Sequence, residues 1–388
     1  MPPPSGRDAD VVIVGAGIAG ASAAYFLAPH ASVILLEREE QPGYHTTGRS
    51  AALFAESYGN ATVRALTRAS RAFFTTPPAG FSSAALLAPR GHLIFSRADQ
   101  KPQLDAATAD IEATGTRLER LTGTQVRALV PALHESHAHA GALDPGAQDV
   151  DVHALLHGFL RGARAQGVRV HTNAALQAAE FSGRRWRLAT TAGEFSAGIL
   201  VNAGGAWADE VARASGVSAL GLSPLRRTVI VFDSARHTGA QTWPMSVSAD
   251  ESLYFRPEAG GFLASPADET PSPPCDAQPE ELDIALVIDR LQTATTFDIR
   301  RVRAKWAGLR TFAADRSLIA GFDMHQRAFF WLAGQGGYGI QTAPAMGILA
   351  AAVIGGKETP RALAEQDLEA DGLAPRRFTI TGVANKAV

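Results

Sequence analysis

Cysteine is almost missing: Cys275 is the single example among 388 residues. A lone thiol cannot close an internal disulfide, which excludes the disulfide-stapled secreted scaffolds. A reducing, cytoplasmic setting is expected, with contact at a membrane surface left open. An excess of charge of either sign is also missing. The net charge is −2, and no block of like charge stands out. Nothing in this balance attracts a nucleic acid or an anionic membrane. Nor is there an internal repeat. No transmembrane segment is read: the most apolar run, residues 11–28, follows Asp8 and Asp10 and carries three regularly spaced glycines.

What is present is an ordinary globular composition, 46% hydrophobic and 19% charged, on a chain long for one core. The most informative stretch is "DVVIVGAGIAGASAAYFL". Val11 to Val14 form a β-branched run suited to a parallel strand buried on both faces. Gly15, Gly17 and Gly20 then give G-x-G-x-x-G at the entry to a helix. The first allows a tight turn, the second a close approach to a pyrophosphate, and the third close helix–strand packing. The helix N-terminus would face the diphosphate. "ASVILLE" is the next strand, and Glu37 ends it, 22 residues after Gly15, where a carboxylate would accept from a ribose. An acid here disfavours a 2′-phosphate.

Three further segments favour FAD over a nicotinamide cofactor. "GYHTTGRSAALF" follows the first βαβ unit and offers Thr46, Thr47, Gly48, Arg49 and Ser50 as hydroxyls, N–H donors and a cation. "GILVNAGGAWADEVARASG" reads as a strand of the same sheet, then Gly204-Gly205, then a helix. "FFWLAGQGGYGIQTAPAMGILAAAVIGG" repeats that pattern, and its helix N-terminus would face the pyrimidine edge of a flavin. A cofactor contacted by chain-distant pieces suits a flavin lying across a sheet.

Taken together, "VIVGAGIAGAS", "LEREEQPGYHTTGRSAA", "VNAGGAW", "WAGLR" and "GQGGYGIQT" resemble the D-amino acid oxidase/glycine oxidase superfamily of FAD-dependent oxidoreductases. Within it the chain is most similar to the D-arginine dehydrogenases, from about residue 8 to about 375. The fold this implies is α/β (α+β overall). A Rossmann-type FAD-binding domain (10–60, 146–225, 316–375) would interleave with a mainly antiparallel substrate domain (61–145, 226–315). Tails are expected at 1–9 and 376–388. The resemblance implies non-covalent FAD on Gly15, Gly17, Ala19, Gly20, Glu37, Arg38, residues Thr46 to Ala52 including Ala51, Ala175, Gly337, Tyr338, Gly339, Ile340 and Gln341.

On the substrate side, "SLYFRPEAGGFLAS" alternates like a hairpin and "LRRTVIVF" like a strand. A guanidinium fork is the best receptor for an amino acid carboxylate. The resemblance implies that Arg310, Arg227, Tyr254 and Tyr58 hold it, and that the Gly337 carbonyl takes the amine. Met245, Val247, Leu53 and His92 would set side-chain preference. D-arginine dehydrogenases carry a glutamate where this chain has His92, and a histidine where it has Leu53. The loss of that counter-charge points to neutral or apolar D-amino acids. A glycine- or sarcosine-type amine oxidase, and D-arginine itself, stay open. So does the electron acceptor, whether a quinone, an electron carrier or O2. His134, His137 and His139 are read as loop residues rather than a metal site. Residues 152–166 are read as a core-facing helix.

Overall fold

The computed structural model describes residues 7–234, 236–237, 239–258 and 260–380. The apolar run opens the fold as strand β1 (Asp8–Val14), followed by helix α1 (Ile18–Leu27) and strand β2 (Val33–Leu36). β1 pairs in parallel with β2 on one side and with Gly193–Asn202 on the other. The strands Arg169–His171 and Phe329–Ala333 extend this parallel sheet at its two sides. Val11 and Ile13 enter one core and Val12 and Val14 the opposite one, which is why this strand needs no polar face. α1 and the helices Ala61–Thr75, Val152–Ala165 and Gly339–Ile354 cover the first face. The 152–166 segment is a core-facing helix as read, with Leu155, Leu156, Phe159 and Leu160 buried.

A second, nine-stranded, mostly antiparallel sheet lies beyond the carboxyl ends of these strands. The expected hairpin is there, Tyr254–Glu258 pairing with Gly261–Ser265; residue 259 of its turn lies outside the described residues. One face of this sheet packs on the helix Glu281–Ala294. The other carries Val229, Val231, Tyr254, Met245 and Val247.

Several expected boundaries shift. Residues 8 and 9 belong to β1, paired with Ser196 and Ala197, rather than to a tail. Ala61–Thr75 belongs with the parallel-sheet layer: its apolar stripe of Val63, Leu66 and Phe74 completes that core against Gly339–Ile354. The division at 225/226 cuts the strand Ser223–Phe232, which is wholly in the antiparallel sheet. Residues 377–380 form a short helix, and Arg377 donates to Asp315 at 2.7 and 3.1 Å. Residues 1–6 and 381–388 of the expected tails lie outside the described residues. No helix among the described residues is long and apolar enough to cross a membrane.

Candidate active site

Two cavities open where β1, β2 and the strand Gly193–Asn202 end, the place where open α/β sheets take ligands. Their volumes are about 380 and about 870 Å³, and both are lined by Gly17, Thr46, Thr47, Ala203 and Gly205. The glycine turn therefore sits at a waist between two chambers. That is the shape required by a ligand with a base at each end and a diphosphate in the middle.

The first turn of α1 is built for the waist. Gly17 is its N-cap and has no side chain with which to cap the helix. The Ile18 N–H goes to Thr47 Oγ1 at 3.0 Å, while those of Ala19 and Gly20 have no partner among the described residues. In the smaller chamber, buried Glu37 closes the end of β2. Its two oxygens accept from the N–H groups of Ala16 (2.9 Å) and Glu39 (3.0 Å). Arg38 stacks its guanidinium 4.6 Å from the Trp207 ring, giving that chamber a flat aromatic wall. Ala175 also lines it, but its N–H is already committed to Thr191 Oγ1 at 2.9 Å.

Burial pushes the Glu37 carboxyl above its ordinary value, against the pull of the Glu39 and Ala16 N–H groups. A carboxyl raised in the folded state contributes stability that is complete below its unfolded pKa, about 4.3. That contribution is lost as pH rises through the folded value. The flavin-free protein is thus expected to lose this stability above about pH 4.3. Thermal melts of wild type and Glu37→Gln should diverge in favour of the variant as pH rises.

The larger chamber is lined by two more free backbone runs. Ser50, Ala51 and Ala52 carry N–H groups without partners among the described residues. So do Gly339, Ile340 and Gln341, the first turn of a sixteen-residue helix capped at Tyr338. Both polar atoms of Gln335 and the Nε2 of Gln341 are buried with no partner in the protein. Buried polar atoms without partners are rare in a finished structure. Their presence around this chamber fits a polar ring system with donors and acceptors on its edge. Gln335 and Trp207 stand in the segments GQGGYGIQT and VNAGGAW, where local sequence alone does not mark them as site residues.

Arg49 is placed differently from a free cation. Its guanidinium donates to the Ala277 and Ala307 carbonyls, both at 3.0 Å, and pairs with Asp276. Thr46 Oγ1 donates to the Leu309 carbonyl at 2.6 Å and Trp306 Nε1 to the Arg49 carbonyl at 3.0 Å. The loop is thereby stapled to the antiparallel sheet.

Above the larger chamber, strand alternation decides which arginines arrive. Arg227 and Val229 face inward, while Arg226 faces the helix behind and pairs with Glu280 and Asp283. On the neighbouring strand Val302–Phe312, Trp306, Gly308 and Arg310 stand opposite Val229, Arg227 and Leu225. Arg227 and Arg310 therefore share the inward face. Arg310 Nη1 is 3.4 Å from Tyr58 Oη, and Tyr254 lies below Arg227, 5.8 Å from ring centre to guanidinium. All four expected carboxylate residues line one chamber, together with Gly337. A Cβ on Gly337 would sit 2.9 Å from Arg310 Nη1 and 3.1 Å from Tyr58 Oη, so the bare backbone leaves their shared space open.

The remaining wall is apolar. Met245, His92 and Asp144 lie side by side on adjacent strands, as do Val247 and Ile94. Met245, Val247, Leu53, Ile94 and His92 all line the chamber. His92 is buried, 3.0 Å from Ser57 Oγ through Nδ1, and burial holds its pKa below the ordinary histidine value despite nearby Asp144. It is neutral at neutral pH. Burial likewise pushes the Tyr338 phenol up to about 12, with Tyr58 acting in the same direction.

A waisted crevice at the ends of parallel strands, roofed by a sheet carrying guanidinium groups, defines a two-layer flavin-type oxidoreductase. Residues 10–353 match the family model "FAD dependent oxidoreductase" (DAO), and the chain belongs to that family. The cofactor is accordingly FAD, and the residues around both chambers fit it.

Among curated relatives, glycerol-3-phosphate dehydrogenase 1 of Mycobacterium tuberculosis is 29% identical over 211 residues, 51% of this chain and 39% of that protein. The chain thus aligns with about two fifths of that relative's length. Among solved structures, L-proline dehydrogenase from P. horikoshii aligns with a TM-score of 0.80 at 20% identity, covering 97% of this chain and 100% of that one. Glycine oxidase from Geobacillus kaustophilus aligns at 0.78 and 20%, covering 91% and 96%. At these identities the structures establish the shared fold. The family and the fold agree with the superfamily that the motifs resemble.

Proposed function

We propose that the protein oxidises the Cα–N bond of D-amino acids with neutral or apolar side chains, yielding a 2-oxo acid and ammonia once the imine is hydrolysed. The observation that carries this reading is the convergence of Arg227, Arg310, Tyr58 and Tyr254 on one chamber beside an apolar wall. The arginines and tyrosines would bind the substrate carboxylate. The Gly337 carbonyl, which accepts no hydrogen bond among the described residues, would receive the amine and fix the orientation of Cα–H. FAD, when bound, supplies the two-electron acceptor for that hydrogen. No general base is required of the protein, because a neutral amine carries its own lone pair.

The D configuration rests on the resemblance to D-arginine dehydrogenases. The side-chain preference rests on neutral His92 among Met245, Val247, Leu53 and Ile94. Four carboxylates also line the chamber, of which Glu269 and Asp315 are held by arginines. Asp110 is paired with Arg64 at 2.8 Å, and Glu251 is exposed. A cationic side chain would find no carboxylate to pair with among Met245, Val247, Leu53, Ile94 and His92.

Steady-state turnover should be measured on D-methionine, D-phenylalanine, D-alanine, D-arginine, glycine and sarcosine, with an artificial acceptor and in air. D-methionine is expected to exceed D-arginine in kcat/KM by about tenfold or more, the penalty of an uncompensated charge. A clear lead for D-arginine would overturn the reading of His92 and implicate Glu251. A lead for sarcosine or glycine would favour a secondary-amine or glycine oxidase. The rate in air separates an O2 user from one that reduces a quinone or another carrier.

A further inference from the structure

Besides Arg49 and Arg64, which are tied to Asp276 and Asp110, three guanidinium groups line the larger chamber. The third, after Arg227 and Arg310, is Arg316, on the turn that follows the strand Val302–Phe312. Its backbone is left-handed, with φ +58°, an unusual conformation for a residue with a long side chain. Its guanidinium lies 4.0 Å over the Phe312 ring, so the fork is held at the chamber. The adjacent Asp315 is paired with Arg377 and not with Arg316.

One carboxylate serves all three arginines. Glu269 Oε1 lies 2.5 Å from Arg310 Nη2, 2.7 Å from Arg316 Nη2 and 3.6 Å from Arg227 Nη2, and its Oε2 lies 3.1 Å from Arg316 Nη1. The contact with Arg316 is bidentate, and Glu269 is its single acidic partner among the described residues. Burial opposes ionisation of Glu269, but Arg316, Arg310 and Arg227 together hold its pKa below the ordinary carboxylate value. It is therefore anionic at neutral pH. Arg310 Nη1 and Arg227 remain for one incoming carboxylate, while the Arg316 fork is filled from within.

We propose that Glu269 is a specificity-determining residue that masks a second anion seat on Arg316 and so restricts the substrate to a single carboxylate. The inference rests on the reading above that Arg310 and Arg227 bind the substrate carboxylate. A substrate with an acidic side chain meets a filled fork and the charge of Glu269. With that charge removed, the fork is open to a second carboxylate.

The test is anion binding to the holoenzyme, followed by perturbation of the flavin absorbance, with butyrate and succinate as probes of equal chain length. Glu269→Gln is expected to tighten succinate by about fivefold or more, the size of a half-exposed bidentate pair, and to change butyrate by less than about twofold. The ratio of turnover on D-glutamate to that on D-methionine should rise by the same factor. Adding Arg316→Gln should erase both gains. Glu269→Ala provides a second variant should the glutamine form not bind FAD. Equal tightening of both anions would make Glu269 a plain competitor for the seat and overturn the proposal, as would no tightening of either. A succinate-specific gain in a protein that oxidises no D-amino acid would leave the mask standing and remove the assigned reaction. Turnover of D-methionine without that gain would remove the mask alone.

Discussion

Arg310→Ala is expected to lower kcat/KM on D-methionine by roughly 10²–10³-fold, from about 3–4 kcal/mol of lost charge-assisted binding. Arg310 is mostly buried, and its Nη1 points with Tyr58 Oη at the space left open by Gly337. Truncation removes the fork and leaves the substrate carboxylate facing Arg227 alone. Arg310→Lys should recover only part of the loss, because an ammonium supplies the charge without the planar pair of donors. Arg310 also binds Glu269, so an unchanged flavin spectrum and melting temperature must accompany the result. Oxidation of a simple amine lacking a carboxylate serves as the control and should respond far less. Equal losses on both compounds would assign Arg310 to structure instead of substrate binding.

Gly17→Ala should leave a folded protein that binds FAD at least about tenfold more weakly, a loss of 1.4 kcal/mol or more. Its neighbours in the motif behave differently. Gly15 has φ +103°, and a Cβ there would lie 2.4 Å from the Ala203 carbonyl oxygen. At Gly20 a Cβ would lie 1.8 Å from the Gly15 carbonyl oxygen. Both clashes are with backbone, so alanine at either position should damage the fold itself. At Gly17 the nearest atom is Thr47 Oγ1 at 3.2 Å, and the added methyl would enter the waist shared by both chambers. The fold needs Gly15 and Gly20; the ligand needs Gly17. Flavin content after purification and the melting temperature of the flavin-free forms separate these effects.

The contrast among these glycines also shows what local sequence can and cannot disclose. The strand–turn–helix unit, Glu37 at the end of β2 and the Tyr254 hairpin are short-range features, set by periodicity and by residues a few positions apart. They are legible without a fold. Arg227 and Arg226 are adjacent and chemically identical, and only strand alternation sends one to the chamber and the other to Glu280 and Asp283. The resemblance pointed to Arg227, and the register of the paired strands supplies the physical reason.

Glu269 and Arg316 carry no motif, because their partnership spans 47 residues of chain and exists only after two loops meet. Arg49 illustrates the converse. Its position in a flavin loop suggested a free cation, yet its charge is consumed by Asp276, a partner 227 residues away. The helix Ala61–Thr75 joins the parallel-sheet layer and not the substrate side, and its amphipathic sequence shows that a face is buried but not what buries it.

Anaerobic mixing of the holoenzyme with D- or L-methionine tests most directly whether a flavin and an amino acid carboxylate seat act on one substrate. The expected result is loss of the oxidised-flavin absorbance with the D enantiomer, little change with the L enantiomer, and a far slower loss in Arg310→Ala. Retention of the oxidised spectrum with every amino acid tried, or faster bleaching by L-methionine, would contradict the account.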